Sequence, residues 1–242
     1  MKAMIFAAGL GTRLKPLTDT KPKALIEINN VPLLQILILK LKKSGIKDII
    51  INTHYFHEQI IEFLSEYENF DINIVISHEE ELLDTGGGLL KASGFFDDNE
   101  PFLVHNVDVI TDINIKEMLE FHKNSEALAT LAVRKRKTNR YLLFNEEDIL
   151  CGKYSTNGDF KFTREAGNVV NTLSFLGIHI ISPQIFKYIN TQGKFSITDA
   201  YLELSSQGHN IKGYIDNSSF WIDVGNEEKL NRARMILKTT QI

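Results

Sequence analysis

The first 126 residues alternate between two kinds of segment, and this alternation limits the fold more than any other feature. Ala3–Ala8 reads as a buried strand, and Asp48–Thr53, Ile72–Ser77 and Pro101–Asn106 read as three further strands. Helical patterns fall between them, at Pro32–Ser44, at His57–Tyr67 and from Gly86 or Gly87 to about Ser93. A fourth helix is expected at Asn114–Lys123. Strands that are apolar throughout must be covered on both faces, and intervening helices supply the cover. The pattern therefore predicts an α/β fold with a mostly parallel sheet and right-handed crossovers.

The pattern shifts after Glu126. Ala127–Val133, Tyr141–Phe144, Ile149–Tyr154, Phe160–Thr163 and Leu173–Ile181 read as strands joined by polar turns such as Thr156-Asn157-Gly158-Asp159. Helices follow at Pro183–Ile189 and Thr198–Gln207, short strands at Ile211–Ile215 and Phe220–Asp223, and a closing helix at Glu227–Lys238. No linker-like composition separates the halves, so residues 1–242 read as one domain.

Partners are bounded by charge and cysteine content. A formal net charge of -4 gives no electrostatic case for nucleic-acid binding. No apolar stretch is long enough to span a bilayer, and the N-terminus reads as a strand rather than a signal. Cys151 is the single cysteine, so an internal disulfide and a multi-cysteine zinc site are excluded and a cytoplasmic location is expected.

Chemistry concentrates where strands end. In an open parallel sheet, ligands sit beyond the carboxyl ends of strands. The loop Gly9-Leu10-Gly11-Thr12-Arg13 occupies that place after the first strand. Its two glycines let successive N–H groups converge on an anion. The third glycine of a dinucleotide fingerprint and the Gly-Lys-Ser/Thr of a Walker loop are both missing, which leaves a phosphate cradle and a structural turn as readings. Cations favour the cradle. Arg13 offers a planar fork to phosphate oxygens, and Lys21 and Lys23 flank Pro22, which can aim one of them inward.

Asp108 closes one predicted strand and Asp223 another, a split carboxylate pair suited to Mg²⁺ shared with phosphate oxygens. Asp112 reads as a cap for the helix at Asn114. Asp84–Ala92, "DTGGGLLKA", is a second glycine-rich turn, where Gly86 and Gly87 would let backbone approach a flat base or a sugar and Thr85 could donate a hydrogen bond. Of Glu79, Glu80 and Glu81, one carboxylate could face a base, while at least two read as solvated. His54, His57, His78 and His105 show no readable triad or zinc spacing, and most of them read as ordinary polar or packing residues.

Together, "FAAGLGTRLKPLTDTKPKAL", "TGGG", "NVD" and "WIDVG" resemble, in order and spacing, the sugar-1-phosphate nucleotidyltransferases. The resemblance covers nearly the whole chain and is greatest to the short N-acetylmuramate-1-phosphate uridylyltransferases. Mannose- and heptose-1-phosphate guanylyltransferases are similar by motif. It implies a Rossmann-like three-layer sandwich, with residues 1–126 binding nucleotide and 127–242 binding sugar. The implied reaction joins an NTP and a sugar 1-phosphate into an NDP-sugar and pyrophosphate.

By the same resemblance Ala7, Ala8, Gly9, Gly11, Thr12 and Arg13 would bind nucleotide, with Glu79, Gly86 and Gly87 beside the nucleoside. Lys23 would stabilise the reacting phosphates, and Asp108 and Asp223 would hold Mg²⁺. The implied sugar site draws on Thr85, Asn106, Arg164, Glu165 and Gly177. The chain departs from the family pattern at Val107, where glycine is usual, and in Phe162–Asn168, where Glu-Lys-Pro is replaced. A cytidylyltransferase of a phospho-alcohol and a non-catalytic nucleotide sensor are the competing readings.

Overall fold

The structure is a computed structural model that describes residues 1–167 and 170–237. The chain divides into two compact units that interleave along its length. Met1–Leu82, His105–Ile113 and the chain from Phe220 on form the first, and Leu83–Val104 with Asn114–Ser219 the second. The compositional change at Glu126 falls inside the second unit and marks no division.

The first unit contains a parallel sheet in which Asp48–Thr53 lies between Ala3–Phe6 and Asn73–His78. Ala3 pairs with Ile49, and Asp48 with Asn73. Ala3, Met4, Ile5, Ile49 and Ile51 have no exposed surface, as the unbroken apolar runs require. The helix Leu33–Lys43 begins one residue after Pro32, and its buried Leu33, Leu34, Leu37, Ile38 and Leu41 repeat at helical spacing. Gly45, at φ 86°, takes the left-handed conformation just past its end. A second helix, His57–Glu66, buries Ile60, Phe63 and Leu64.

One further packing arrangement in this unit positions the site. Val109–Thr111 pairs antiparallel with Trp221–Asp223, and the helix Glu227–Ile236 follows. Ile222 and Val224 share a core with Leu14, Ile28, Leu33, Leu230 and Ala233. The apolar face of the closing helix, the strand ahead of Asp223 and the end of the glycine loop are thus held by common packing. Burying side chains of this size stabilises by about 1.5–3 kcal/mol each. The sequence reading had this helix run to Lys238, which lies outside the described residues.

The second unit is largely antiparallel. Asn171–Ile181 runs against both Ala129–Arg134 and Arg140–Phe144, and Ile211–Ile215 lies parallel to Ala129–Arg134. Leu150–Ser155 pairs with Arg140–Phe144 on one side and Phe160–Phe162 on the other. The predicted turn is present, with Gly158 at φ 100° and its N–H donated to the Ser155 carbonyl. Asp84–Lys91, Ile115–Asn124 and Ile197–Ser206 are the α-helices. The Asn114 side chain, not Asp112, caps the second of these by accepting from the N–H groups of Lys116 and Glu117. An Asn directly before the first helical residue reaches both donors, whereas Asp112 lies two residues too early.

Candidate functional site

The glycine loop leaves the carboxyl end of the first strand as expected. Gly11 has φ 63°, and a Cβ there would lie 2.8 Å from Thr18 Cγ2 and 3.2 Å from Lys23 Cβ. Only glycine satisfies both the torsion and the approach. The Thr18 hydroxyl donates to the Gly11 carbonyl at 3.0 Å and fixes the turn. Thr12–Leu14 forms a 3₁₀ turn in which Leu14 is buried and Thr12 and Arg13 are exposed.

Upstream, Ala7 and Ala8 are 4% and 6% exposed, and the loop is tethered to the sheet through a residue the sequence reading missed. Asn52, at the end of the central strand, accepts from the Ala7 N–H at 2.8 Å and donates to Glu79 Oε1 at 2.7 Å. The signal in the sequence was a single amide closing "DIIIN". Glu79 is buried, and Glu80 and Glu81 are exposed, as a solvated acidic run predicts for two of three.

The two lysines flanking Pro22 have different surroundings. Lys21 is 41% exposed and lies 3.5 Å from Glu27. The Lys23 side chain is only 11% exposed and its Nζ is ion-paired with Asp108 Oδ2. Pro22 has extended torsions and Lys23 opens a short 3₁₀ turn, which directs one lysine inward and the other out.

The two aspartates are brought together by one ribbon. Asp223 pairs with Val109 in the antiparallel register, and the Val224 N–H donates to the Asp108 carbonyl at 2.7 Å. Val107 donates its N–H to the Phe6 carbonyl at 3.1 Å, which ties the Asp108 turn to the first strand. Asp223 receives Lys229 Nζ on both carboxylate oxygens, at 2.7 and 2.6 Å. A Cβ at Gly225 would lie 2.7 Å from Asp223 Oδ1 and 3.1 Å from Arg13 Nη2, so the missing side chain leaves room for that carboxylate and that guanidinium. Neither Gly225 nor Lys229 was singled out from the sequence, although "WIDVG" contains the first.

The donor set here is two carboxylates, of the oxygen type that a hard divalent cation would take. Two carboxylates share one ribbon end, and no group of three or more His, Cys, Asp or Glu among the described residues could hold a metal. Two carboxylates alone under-coordinate Mg²⁺, which ordinarily fills its remaining positions with phosphate oxygens and water.

Lys40 lies beneath this ribbon and donates to the Thr111 carbonyl at 2.5 Å. Burial pushes its ammonium pKa down to about 8, partly offset by Asp112. Neighbouring His105 is fully buried, and burial together with Lys40 holds its imidazole pKa at about 3. His57 and His78 stack at 3.9 Å, and His54 Nδ1 lies 2.8 Å from the Glu79 carbonyl oxygen. These places suit polar or packing roles. Asn106, expected at the sugar, ends its strand in the first unit, where its carbonyl lies 2.8 Å from His105 Nδ1.

Glu79 apart, the other expected sugar and nucleoside residues belong to the second unit. Gly86 and Gly87 do permit a close approach, but the approaching group is the protein itself. A Cβ on Gly86 would lie 2.2 Å from the Phe195 ring, and one on Gly87 would lie 2.1 Å from the Gly193 carbonyl oxygen. The Gly86 N–H is donated to the Phe195 carbonyl at 2.8 Å. Thr85 Oγ1 accepts from the Ile197 N–H at 3.0 Å instead of facing outward as a free donor. Arg164 and Glu165 line an open cleft of about 770 Å³ with Ser205, Ser206 and Gly208, and Arg164 donates to the His209 carbonyl at 3.4 Å. Asn168 of that segment lies outside the described residues. Gly177 has φ 77° at a register slip between Phe175 and His179, so local strand geometry already requires glycine there.

These motifs agree with what the chain is related to. Residues 2–143 match the model of the Nucleotidyl transferase family, and the chain belongs to that family. It is 32% identical over 228 residues to a mannose-1-phosphate guanyltransferase of Yarrowia lipolytica, and 34% identical over 230 residues to one of Hypocrea jecorina. Each alignment covers 93% of this chain, and the chain spans 61% of the length of these curated relatives. Among solved structures, a Bacillus anthracis protein assigned as a glucose-1-phosphate thymidylyltransferase superposes with a TM-score of 0.81 over 100% of this chain and 97% of its own, at 21% identity. The fold is accordingly the mixed α/β architecture with a mostly parallel central sheet. No helix among the described residues is long and apolar enough to cross a membrane.

Proposed function

We propose that this chain transfers a nucleoside monophosphate from an NTP to a sugar 1-phosphate, releasing pyrophosphate. The observation that carries this reading is the clustering of Asp108, Asp223, Lys23 and the Gly9–Arg13 loop within one unit, where Lys23 pairs with Asp108 and the Asp108 turn is hydrogen-bonded to the first strand and to the end of the Asp223 strand. In the reaction, an oxygen of the sugar phosphate attacks the α-phosphorus, a new P–O bond forms, and the bond to the β-phosphate bridging oxygen breaks. The nucleophile is already ionised at neutral pH, since a phosphate monoester has its second pKa near about 6. No general base is required, and catalysis reduces to positioning and charge neutralisation. Exposed Arg13 is suited to the β- and γ-phosphates. Lys23, held low against Asp108, presents its ammonium where charge changes on the α-phosphate. Asp108 and Asp223 would hold Mg²⁺, which supplies charge neutralisation to the phosphates.

Within this reaction, GTP and mannose 1-phosphate are the proposed pair, supported by the names of the relatives at 32% and 34% identity. Those names do not support UTP with N-acetylmuramate 1-phosphate, the pair to which the likeness to the uridylyltransferases in the TGGG turn and the closing WIDVG points. Pyrophosphate release with GTP, UTP, CTP and dTTP against mannose, glucose, heptose and N-acetylmuramate 1-phosphates tests the choice. A kcat/KM for GTP and mannose 1-phosphate at least about tenfold above every other pair, a gap of roughly 1.4 kcal/mol, supports it. A similar lead for UTP with N-acetylmuramate 1-phosphate restores the uridylyltransferase reading.

A further inference from the structure

Lys229 is placed with unusual definition for a surface lysine. It lies in the first turn of the helix Glu227–Ile236, and the Asn226 side chain caps that helix by accepting from the Lys229 backbone N–H at 2.9 Å. Leu230 and Ala233 anchor the same helix in the core that holds Ile222 and Val224. Helix and carboxylate are therefore fixed against each other. The ammonium engages both oxygens of Asp223 at 2.7 and 2.6 Å. Its side chain is nevertheless 38% exposed, so solvent is open to the ammonium once it leaves the carboxylate, whereas the Asp223 side chain is only 20% exposed.

A metal ion at Asp223 needs at least one of the oxygens that Lys229 holds. Metal and ammonium repel each other and compete for the same lone pairs. An NTP changes that balance in two ways. Its phosphates supply the ligands that two carboxylates cannot, and they offer the displaced ammonium a new anion. We infer that Lys229 is an internal counter-ion of the Asp223 carboxylate that keeps divalent metal weakly bound in the free protein and couples metal loading to nucleotide arrival. This inference rests on the transfer reading above, because it assumes Asp223 to be a metal ligand. Lys229 acts through Asp223 and is a positioning residue.

The test is Mn²⁺ binding followed by the electron paramagnetic resonance of free Mn²⁺, with and without GTP and with no sugar phosphate present, binding being the loss of signal beyond that caused by GTP alone. Lys229→Met should bind Mn²⁺ about tenfold more tightly than wild type in the absence of nucleotide. GTP should then improve Mn²⁺ affinity less in the variant than in wild type. Lys229→Arg, which keeps a cation on the carboxylate, should remain close to wild type. Matched circular dichroism checks the fold, and Lys229→Gln replaces the Met variant if that variant does not fold. If the neutral variant binds Mn²⁺ no more tightly than wild type while wild type with GTP binds it well, the inference is overturned and the transfer reading stands. If neither protein binds Mn²⁺ even with GTP, both are overturned.

Discussion

Replacing Asn52 with alanine tests how the sheet holds the phosphate loop. Asn52 is 3% exposed and makes two buried hydrogen bonds, one to the start of the loop and one to a carboxylate. Truncation leaves the Ala7 N–H without its acceptor, a cost of about 1–3 kcal/mol. It also removes a donor from the Glu79 carboxylate, and hydrogen bonds to charged groups contribute about 1.5–3 kcal/mol. A water molecule entering the vacated space returns part of this, so the expected net loss is about 3 kcal/mol, a large share of the roughly 5–15 kcal/mol that a domain has. The loop itself should loosen, raising the NTP KM about tenfold. Asn52→Asp separates the two bonds. It keeps the acceptor for Ala7 but sets a second carboxylate against Glu79, so its stability deficit should shrink as pH falls and one of the pair protonates. Urea unfolding followed by circular dichroism, with NTP saturation curves on the same proteins, measures both effects. An Asn52→Ala protein within about 1 kcal/mol of wild type and with unchanged NTP KM refutes the tether.

Three further outcomes are expected. Arg13→Ala should chiefly raise the NTP KM, and Lys23→Ala should chiefly lower kcat by at least about a hundredfold, because charge at the α-phosphate changes most in the transition state; separate kcat and KM values decide. Gly225→Ala should lower kcat/KM about tenfold or more with little loss of fold, since its Cβ would press on Asp223 Oδ1 at 2.7 Å and Arg13 Nη2 at 3.1 Å; rates beside matched melting curves check this. Burial holds the His122 imidazole at about pKa 4, below its ordinary 6.5. The unfolded chain then binds more protons between those values, so stability should fall as pH drops through that window, by about 3 kcal/mol at pH 4 for this residue. Denaturant midpoints at pH 7, 5.5 and 4 should show the decline, and His122→Gln should remove about half of it, since buried His105, held at about pKa 3, supplies a similar share.

The legible parts of this molecule were those decided by local pattern. The Asp48–Thr53 strand was read to its observed ends because an apolar run between turn residues has few other solutions. The inward aim of one lysine beside Pro22 was read because proline restricts the backbone on both sides. The parts that stayed hidden depend on neighbours remote in sequence. Asn52 meets Ala7 across 45 positions and Glu79 across 27, and nothing local marks it as a bridge. The same holds for Gly86 and Gly87, where glycine meant close approach but the partner was Phe195 and Gly193, more than a hundred residues away. Lys229 carried no signal at all, since a lysine in a helix usually reads as a solvated surface charge.

The central claim is that the α-phosphorus of an NTP is transferred to a sugar phosphate at the Asp108–Asp223 ribbon. Incubation with mannose 1-phosphate, Mg²⁺ and GTP labelled at the α- or the γ-phosphate tests it most directly. The account predicts that α-label enters a GDP-sugar, that γ-label appears only in pyrophosphate, and that Asp108→Asn and Asp223→Asn each slow both at least about a hundredfold with the fold intact. Sugar-independent release of γ-label as orthophosphate, or transfer undiminished in both aspartate variants, would contradict it.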